Sequence, residues 1–94
     1  MRIYWTGRAE RDADEITDYI AEDNPVAAVE VRDEIERHVD RLADHPSLGR
    51  PGRSVGTREL IIPGLPYIVA YRVRNEMIEI LRVLHVAQVW PERL

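Results

Sequence analysis

Two consecutive segments with helical periodicity, separated by a short polar break, limit the possible folds of this chain most strongly. The apolar residues of the first segment are Ala9, Ala13, Ile16 and Ile20, and those of the second are Ala28, Val31, Ile35, Val39 and Leu42. In the break, Asn24 is suited to cap a helix and Pro25 is suited to its first turn. The segments therefore predict an antiparallel helical hairpin whose apolar stripes need another surface to cover them.

The second half of the chain alternates with the period of strands instead. We predict strands over residues 58–62, 67–73 and 77–85, with turns at 63–66 and at Asn75. A further short strand is expected over residues 2–6, and the Gly- and Pro-rich segment 46–56 is expected to be a loop. The predicted fold class is α+β in the order β-α-α-β-β-β. The helical hairpin packs on one face of a small, mainly antiparallel sheet.

The alternation within the strands separates two faces but does not decide which of them the helices cover. The third predicted strand has Tyr67, Val69, Tyr71 and Val73 on one face and Ile68, Ala70 and Arg72 on the other. We expect the tyrosine-bearing face to be covered by the helices, which leaves Arg72 and His85 on the open face. The last strand is apolar on both faces and is expected to be central or covered.

Length and composition limit the remaining possibilities. Ninety-four residues predict a single domain spanning residues 1–94. The chain has no cysteine, which excludes disulfides and thiolate chemistry, and it has no apolar run of roughly 18 residues that could span a membrane. The first residues do not form a signal peptide, so we expect a cytoplasmic protein.

The charge is distributed unevenly along the chain. Residues 1–46 contain six Arg and thirteen Asp or Glu, whereas residues 47–94 contain seven Arg and four Glu, and no Lys is present. A GC-rich genome and solvated helix faces would explain this pattern without any function. Alternatively, an acidic helical side and a basic sheet side indicate that the basic side meets an acidic partner.

The order of these segments resembles a known family. The segment Tyr19-Ile20-Ala21-Glu22-Asp23-Asn24-Pro25 is similar to the helical hairpin of RelE/ParE-type toxins of bacterial type II toxin–antitoxin systems. The loop Leu48-Gly49-Arg50-Pro51-Gly52 and the run Thr57-Arg58-Glu59-Leu60 resemble that family's entry into the sheet. Ile68-Val69-Ala70-Tyr71-Arg72-Val73 and Ile80-Leu81-Arg82-Val83-Leu84-His85 resemble its last two strands. The resemblance extends from Ile3 to about Trp90.

This resemblance implies a growth-inhibiting toxin and a co-expressed antitoxin. The C-terminal segment of the antitoxin would wrap the toxin in a hetero-oligomer. Two targets are implied within the family. ParE-like members inhibit DNA gyrase without a nuclease site, whereas RelE-like members cut messenger RNA in the ribosome. A degenerate toxin that only binds its antitoxin is a third possibility.

A ribonuclease of this type needs a base, an acid and cations around one phosphate. The candidate catalytic residues are His85, Arg72, Glu59 and Arg58. Arg58 and Glu59 are strand neighbours, so their side chains should point to opposite faces. For Arg82 we expect a structural role, in which its guanidinium pairs with a helix carboxylate such as Asp14 or Glu15.

Three departures from the nuclease pattern favour the gyrase inhibitor. Tyr67-Ile68 stands where nuclease members usually carry an Arg, no Lys is available for catalysis, and the chain is net acidic. Whether the protein is an enzyme therefore depends on the target. We expect no cofactor and no metal site, since His38 and His45 are seven residues apart with no third ligand nearby.

Overall fold

The computed structural model describes residues 1–94. Its elements in chain order are β1 (Arg2–Trp5), α1 (Gly7–Ala21), α2 (Pro25–Asp40), a 3-10 turn (Arg41–Ala43), β2 (Arg50–Pro51), β3 (Arg58–Ile61), β4 (Tyr67–Arg74) and β5 (Met77–His85). The predicted order β-α-α-β-β-β is confirmed. One element is additional, because β2 lies within the segment that was predicted to be only a loop.

Both helices have a side-chain N-cap, and the cap predicted at Asn24 is confirmed. The Oγ1 atom of Thr6 accepts a hydrogen bond from the Ala9 N–H at 3.2 Å, and Asn24 Oδ1 accepts one from the Ala27 N–H at 3.0 Å. Each side chain satisfies a backbone donor that the first helical turn leaves without a partner. Neither helix is long and apolar enough to cross a lipid bilayer.

The five strands form one mixed sheet in the order β1-β5-β4-β3-β2. β1 runs parallel to β5, and the other neighbours are antiparallel. β5 lies between β1 and β4, so the prediction that the last strand is central is confirmed. The turn between β4 and β5 places Asn75 and Glu76 at positive φ, 54° and 57°. This confirms the tight turn predicted at Asn75.

The helices cover one face of the sheet and enclose the core with it. Ala9, Ile35, Val39 and Leu42 pack against buried residues of β3, β4 and β5 in a single cluster. Tyr67, Val69 and Tyr71 belong to that cluster, so the predicted helix-facing side of β4 is confirmed. Val73 is the exception at 41% exposure, because it lies beside the hairpin turn.

A β-bulge in β5 corrects the expected position of His85. Ala70 pairs with Arg82 while Tyr71 pairs with Ile80, so Leu81 is an extra residue without a partner. The extra residue reverses the alternation of side chains along the rest of the strand. His85 therefore pairs with Tyr67 and lies on the helix side, and its prediction on the open face was wrong. Arg72 pairs with Glu79 on the open face, as expected.

A buried ion pair holds the bulge against α1. Arg82 donates from Nε to Asp12 Oδ2 at 2.7 Å and from Nη2 to Asp12 Oδ1 at 3.1 Å, and the Val83 N–H donates to the same Oδ2 at 3.0 Å. Arg82 thus pairs with a helix carboxylate, as predicted. The partner is not Asp14 or Glu15 but Asp12, the acidic residue that α1 turns toward the sheet.

Candidate functional site

Glu59, one of the four candidate catalytic residues, is buried beneath two arginines. Its side chain is 1% exposed. Oε2 accepts a hydrogen bond from the Arg53 N–H at 2.8 Å, and Oε1 accepts one from Arg50 Nη2 at 3.1 Å. The Arg53 Nε lies 3.5 Å from the same carboxylate. Glu59 therefore has its acceptor atoms occupied by neighbours in the loop and in β2.

Arg58 points to the other face and fixes the loop before β2. Its Nη1 donates to the Gly49 carbonyl at 2.7 Å. The hydroxyl of Tyr71, which pairs with Arg58 in the sheet, accepts from the Gly49 N–H at 2.8 Å and donates to the Pro46 carbonyl at 2.7 Å. Burial raises the pKa of Tyr71. The expectation that Arg58 and Glu59 lie on opposite faces is confirmed, and both make structural contacts.

Arg72 belongs to the open face near the hairpin turn. Its Nε donates to Glu79 Oε1 at 2.6 Å, and the Arg74 Nε lies 3.5 Å from the same oxygen. The hydrogen bond from Arg72 is the main reason that the pKa of Glu79 is lowered, and the charges of Arg72 and Arg74 add to it. The side chain of Arg72 is therefore directed toward its cross-strand neighbour.

His85 lies at the far end of β5 and is exposed. Its Nδ1 accepts a hydrogen bond from the Ala87 N–H at 3.0 Å, so the proton of the neutral ring is on Nε2. The ring meets that of Tyr67 edge to face, with centroids 5.5 Å apart. The Nε2 atom makes no hydrogen bond to another protein group and is available to an external partner.

The four residues do not converge on one site. His85 is opposite Tyr67, and Arg72 follows Tyr67 by five residues on β4, which corresponds to about 16 Å along the strand. The two side chains also lie on opposite faces of the sheet. Arg58 shares a face with His85, but it lies at the level of Tyr71 one strand further away. A single phosphate could not contact all of these groups.

His85 does contribute to a groove between α1 and the sheet. We call this the β5 groove; it has a volume of about 350 Å³, and its lining includes Arg8, Ile16, Tyr19, Tyr67, Arg82 and His85. Burial raises the pKa of Tyr67, and the nearby Tyr19 raises it further. The Asp12–Arg82 ion pair contributes to the same lining. The groove therefore combines apolar side chains with hydroxyl, imidazole and guanidinium donors.

Asp12 is the residue of this region that the sequence analysis missed. It follows Ala9 by three residues and precedes Ile16 by four, so it lies on the same helix face as the apolar stripe. An acidic residue at such a position is 6% exposed here and needs a cationic partner. No group of three or more His, Cys, Asp or Glu side chains is arranged to hold a metal ion.

Comparisons with known proteins agree with this architecture. The family model described as "ParE toxin of type II toxin-antitoxin system, parDE" matches residues 3–90. Y4kP of Sinorhizobium fredii, a protein named as a candidate toxin, is 50% identical over 93 residues, which cover 99% of this chain and 96% of Y4kP. Toxin RelE2 of Caulobacter vibrioides is 31% identical over 87 residues, covering 93% of this chain and 97% of RelE2.

A solved structure is similar over nearly the whole chain. It is described as the chromosomal ParDE TA system from P. aeruginosa and superposes with a TM-score of 0.83 at 30% identity, covering 90% of this chain and 95% of that one. The sequence match and the shared fold lead to the same assignment. The chain belongs to the ParE toxin family of type II toxin–antitoxin systems.

Proposed function

We propose that this toxin stops growth by binding DNA gyrase through protein contacts, with no chemical reaction of its own, until a cognate antitoxin binds it. The main support for the proposal is that the four candidate catalytic residues lie too far apart to act on one phosphate. A ribonuclease needs its base, acid and cations within hydrogen-bond reach of one phosphate and its neighbouring oxygens. His85 and Arg72 are instead about 16 Å apart along the strands and on opposite faces.

The contacts of the other two residues also support an inhibitor without a reaction. Glu59 is 1% exposed and is bound by Arg50 and Arg53, so it is not free to accept a proton from a substrate. Arg58 donates to the Gly49 carbonyl in the loop before β2. Both side chains stabilise the sheet edge, which is a sufficient structural reason for their presence.

The antitoxin is expected to be a separate small protein that forms a hetero-oligomer with this toxin. Membership in a toxin–antitoxin family supports such a partner, and the P. aeruginosa neighbour is described as a ParDE system. The outer edges of β1 and β2 have no strand beside them, so an extended C-terminal antitoxin segment could pair there.

Plasmid supercoiling by purified gyrase tests the proposal directly. Free toxin should inhibit supercoiling of a relaxed plasmid in proportion to its concentration, and addition of the protein encoded beside the toxin should restore the reaction. His85→Ala should inhibit as well as wild type, and His45→Ala is a matched control because it also removes an exposed imidazole. Full gyrase activity at saturating toxin would refute the proposal.

A second candidate function, ribosome-dependent messenger RNA cleavage, is supported by the surroundings of His85. Its Nε2 is free, and Arg8 and Tyr67 line the same β5 groove. In a purified translation system, a nuclease would cut ribosome-bound transcripts, and His85→Ala would abolish cleavage while His45→Ala would not. Intact transcripts at toxin concentrations that inhibit gyrase would exclude this alternative.

A further inference from the structure

Four arginines surround two glutamates on the open face of the sheet. Arg72 and Arg74 contact Glu79, at 2.6 and 3.5 Å, and Arg50 and Arg53 contact Glu59, at 3.1 and 3.5 Å. We call the surface formed by Arg50, Arg53, Arg72 and Arg74 the arginine face. It contains no residue of α1 or α2 and lies on the opposite side of the sheet from them.

The strand register makes the arginine face continuous. Arg50 pairs with Glu59, which pairs in turn with Ala70 on β4. Arg72 follows Ala70 by two residues, so its side chain points to the same face. Arg72 is therefore the diagonal neighbour of Glu59, and such neighbours are typically roughly 7–8 Å apart. The two arginine pairs are therefore adjacent parts of one surface.

The charges of this surface are layered. The side chains of Arg50, Arg53, Arg72 and Arg74 are 51, 52, 37 and 57% exposed, whereas those of Glu59 and Glu79 are 1 and 16% exposed. The carboxylates lie beneath the guanidinium groups, so a molecule approaching from solvent meets positive charge first. Four arginines against two glutamates leave a local excess of positive charge, although the whole chain has a net charge of −4.

The contacts with the glutamates also orient the arginines. Arg53, Arg72 and Arg74 approach their carboxylates through Nε, which leaves their Nη donors available to other acceptors. The guanidinium of Arg53 also lies 4.0 Å from the ring centroid of Trp90, which is a cation–π contact. Pre-oriented donors lose less conformational entropy when they bind an anion.

We propose that the arginine face binds an acidic segment of the antitoxin, one with at least two carboxylates. This inference rests on the antitoxin part of the proposed function and not on the identity of the target. Charge complementarity favours a protein segment over nucleic acid. Two excess positive charges match two carboxylates, whereas a protein that contacts about 6–10 phosphates of duplex DNA needs a more extensive basic surface.

The affinity of purified toxin for the full-length protein encoded beside it tests this inference, by calorimetry at two salt concentrations. The double variant Arg72→Gln/Arg74→Gln should bind the antitoxin at least roughly tenfold more weakly than wild type, because each substitution removes one charge-assisted contact. The matched control Arg11→Gln/Arg37→Gln removes two exposed arginines from the helices and should stay within about threefold of wild type. The difference between the two variants should shrink at high salt.

Loss of folding can be separated from loss of binding. Arg74→Gln alone removes an arginine that is 57% exposed and only 3.5 Å from its glutamate, so it should lower the affinity without changing the melting temperature. Equal affinities for the two double variants would overturn the inference. A second result would also overturn it: Arg72→Gln/Arg74→Gln toxin no longer binds a 20-base-pair DNA duplex that wild-type toxin binds, while its affinity for the antitoxin is unchanged. That result would assign the surface to nucleic acid.

The same experiment distinguishes this inference from the proposed function. Weaker antitoxin binding by the arginine-face variant supports the inference even if the toxin does not inhibit gyrase. If wild-type toxin inhibits gyrase but forms no complex with the neighbouring protein, the inference and the antitoxin part of the proposal fail together, while the target assignment stands.

Discussion

Removing the carboxylate of Asp12 should strongly destabilise the protein. Asp12 is 6% exposed and accepts hydrogen bonds from Arg82 and from the Val83 N–H. Asp12→Ala leaves Arg82, also 6% exposed, as a buried charge without a partner. Breaking a buried ion pair from one side costs about 3–5 kcal/mol, out of a total free energy of unfolding of about 5–15 kcal/mol for a small domain.

Urea unfolding of free toxin, followed by the fluorescence of Trp5 and Trp90, measures this cost. We expect Asp12→Ala to lower the free energy of unfolding by about 3 kcal/mol or more, which corresponds to at least about 12 °C in melting temperature. The double variant Asp12→Ala/Arg82→Met should be more stable than Asp12→Ala alone, because it has no unpaired buried charge.

Two results would refute this reasoning. One is an Asp12→Ala protein within about 1 kcal/mol of wild type, which would mean that water or another group replaces the carboxylate. The other is a double variant whose destabilisation equals the two single losses added together, which would mean that Asp12 and Arg82 do not interact.

Three further changes have defined outcomes. Gly49→Ala should lower the free energy of unfolding by about 1–3 kcal/mol in urea titrations. The new Cβ would lie 2.7 Å from a ring carbon of Tyr71. Gly7→Ala is the control and should be tolerated, because the atom nearest to its new Cβ is 3.8 Å away. Glu76→Gly should raise the melting temperature by a few degrees, because it relieves about 1 kcal/mol of strain at φ 57°. In NMR titrations Glu79 should titrate below its ordinary pKa of 4.5, and Arg72→Gln should raise that pKa. The ionised Glu79 carboxylate therefore stabilises the fold at pH values above its unfolded-state pKa. This stabilisation is lost as the pH falls through the lowered folded-state pKa.

Much of the fold could be predicted from local patterns. Asn24 and Pro25 specify where α2 begins, Asn75 specifies the hairpin between β4 and β5, and the alternation from Tyr67 to Tyr71 separates the two faces of β4, although it does not decide which face the helices cover. These features depend on a few neighbouring residues, so one sequence is enough to recognise them. β2 was missed because two residues are too short for any periodicity.

The candidate site was harder to predict because it depends on one irregular residue. Regular alternation from Met77 would place His85 on the open face, but the unpaired Leu81 moves it to the helix side. The bulge is held by Asp12, which is about seventy residues away in the chain. Contacts over that distance leave no local pattern, although the position of Asp12 on the apolar stripe could have indicated that it is buried.

We propose gyrase as the target of the toxin, and pulse labelling after tightly controlled induction in a bacterial host is the sharpest test of that target. Incorporation of thymidine and of methionine would be followed over the first minutes, with Asp12→Ala as an unstable control and co-expressed antitoxin as a rescue. If gyrase is the target, thymidine incorporation falls first while methionine incorporation continues. An initial collapse of methionine incorporation would contradict it and would indicate a ribosome-dependent nuclease with His85 as the first residue to test.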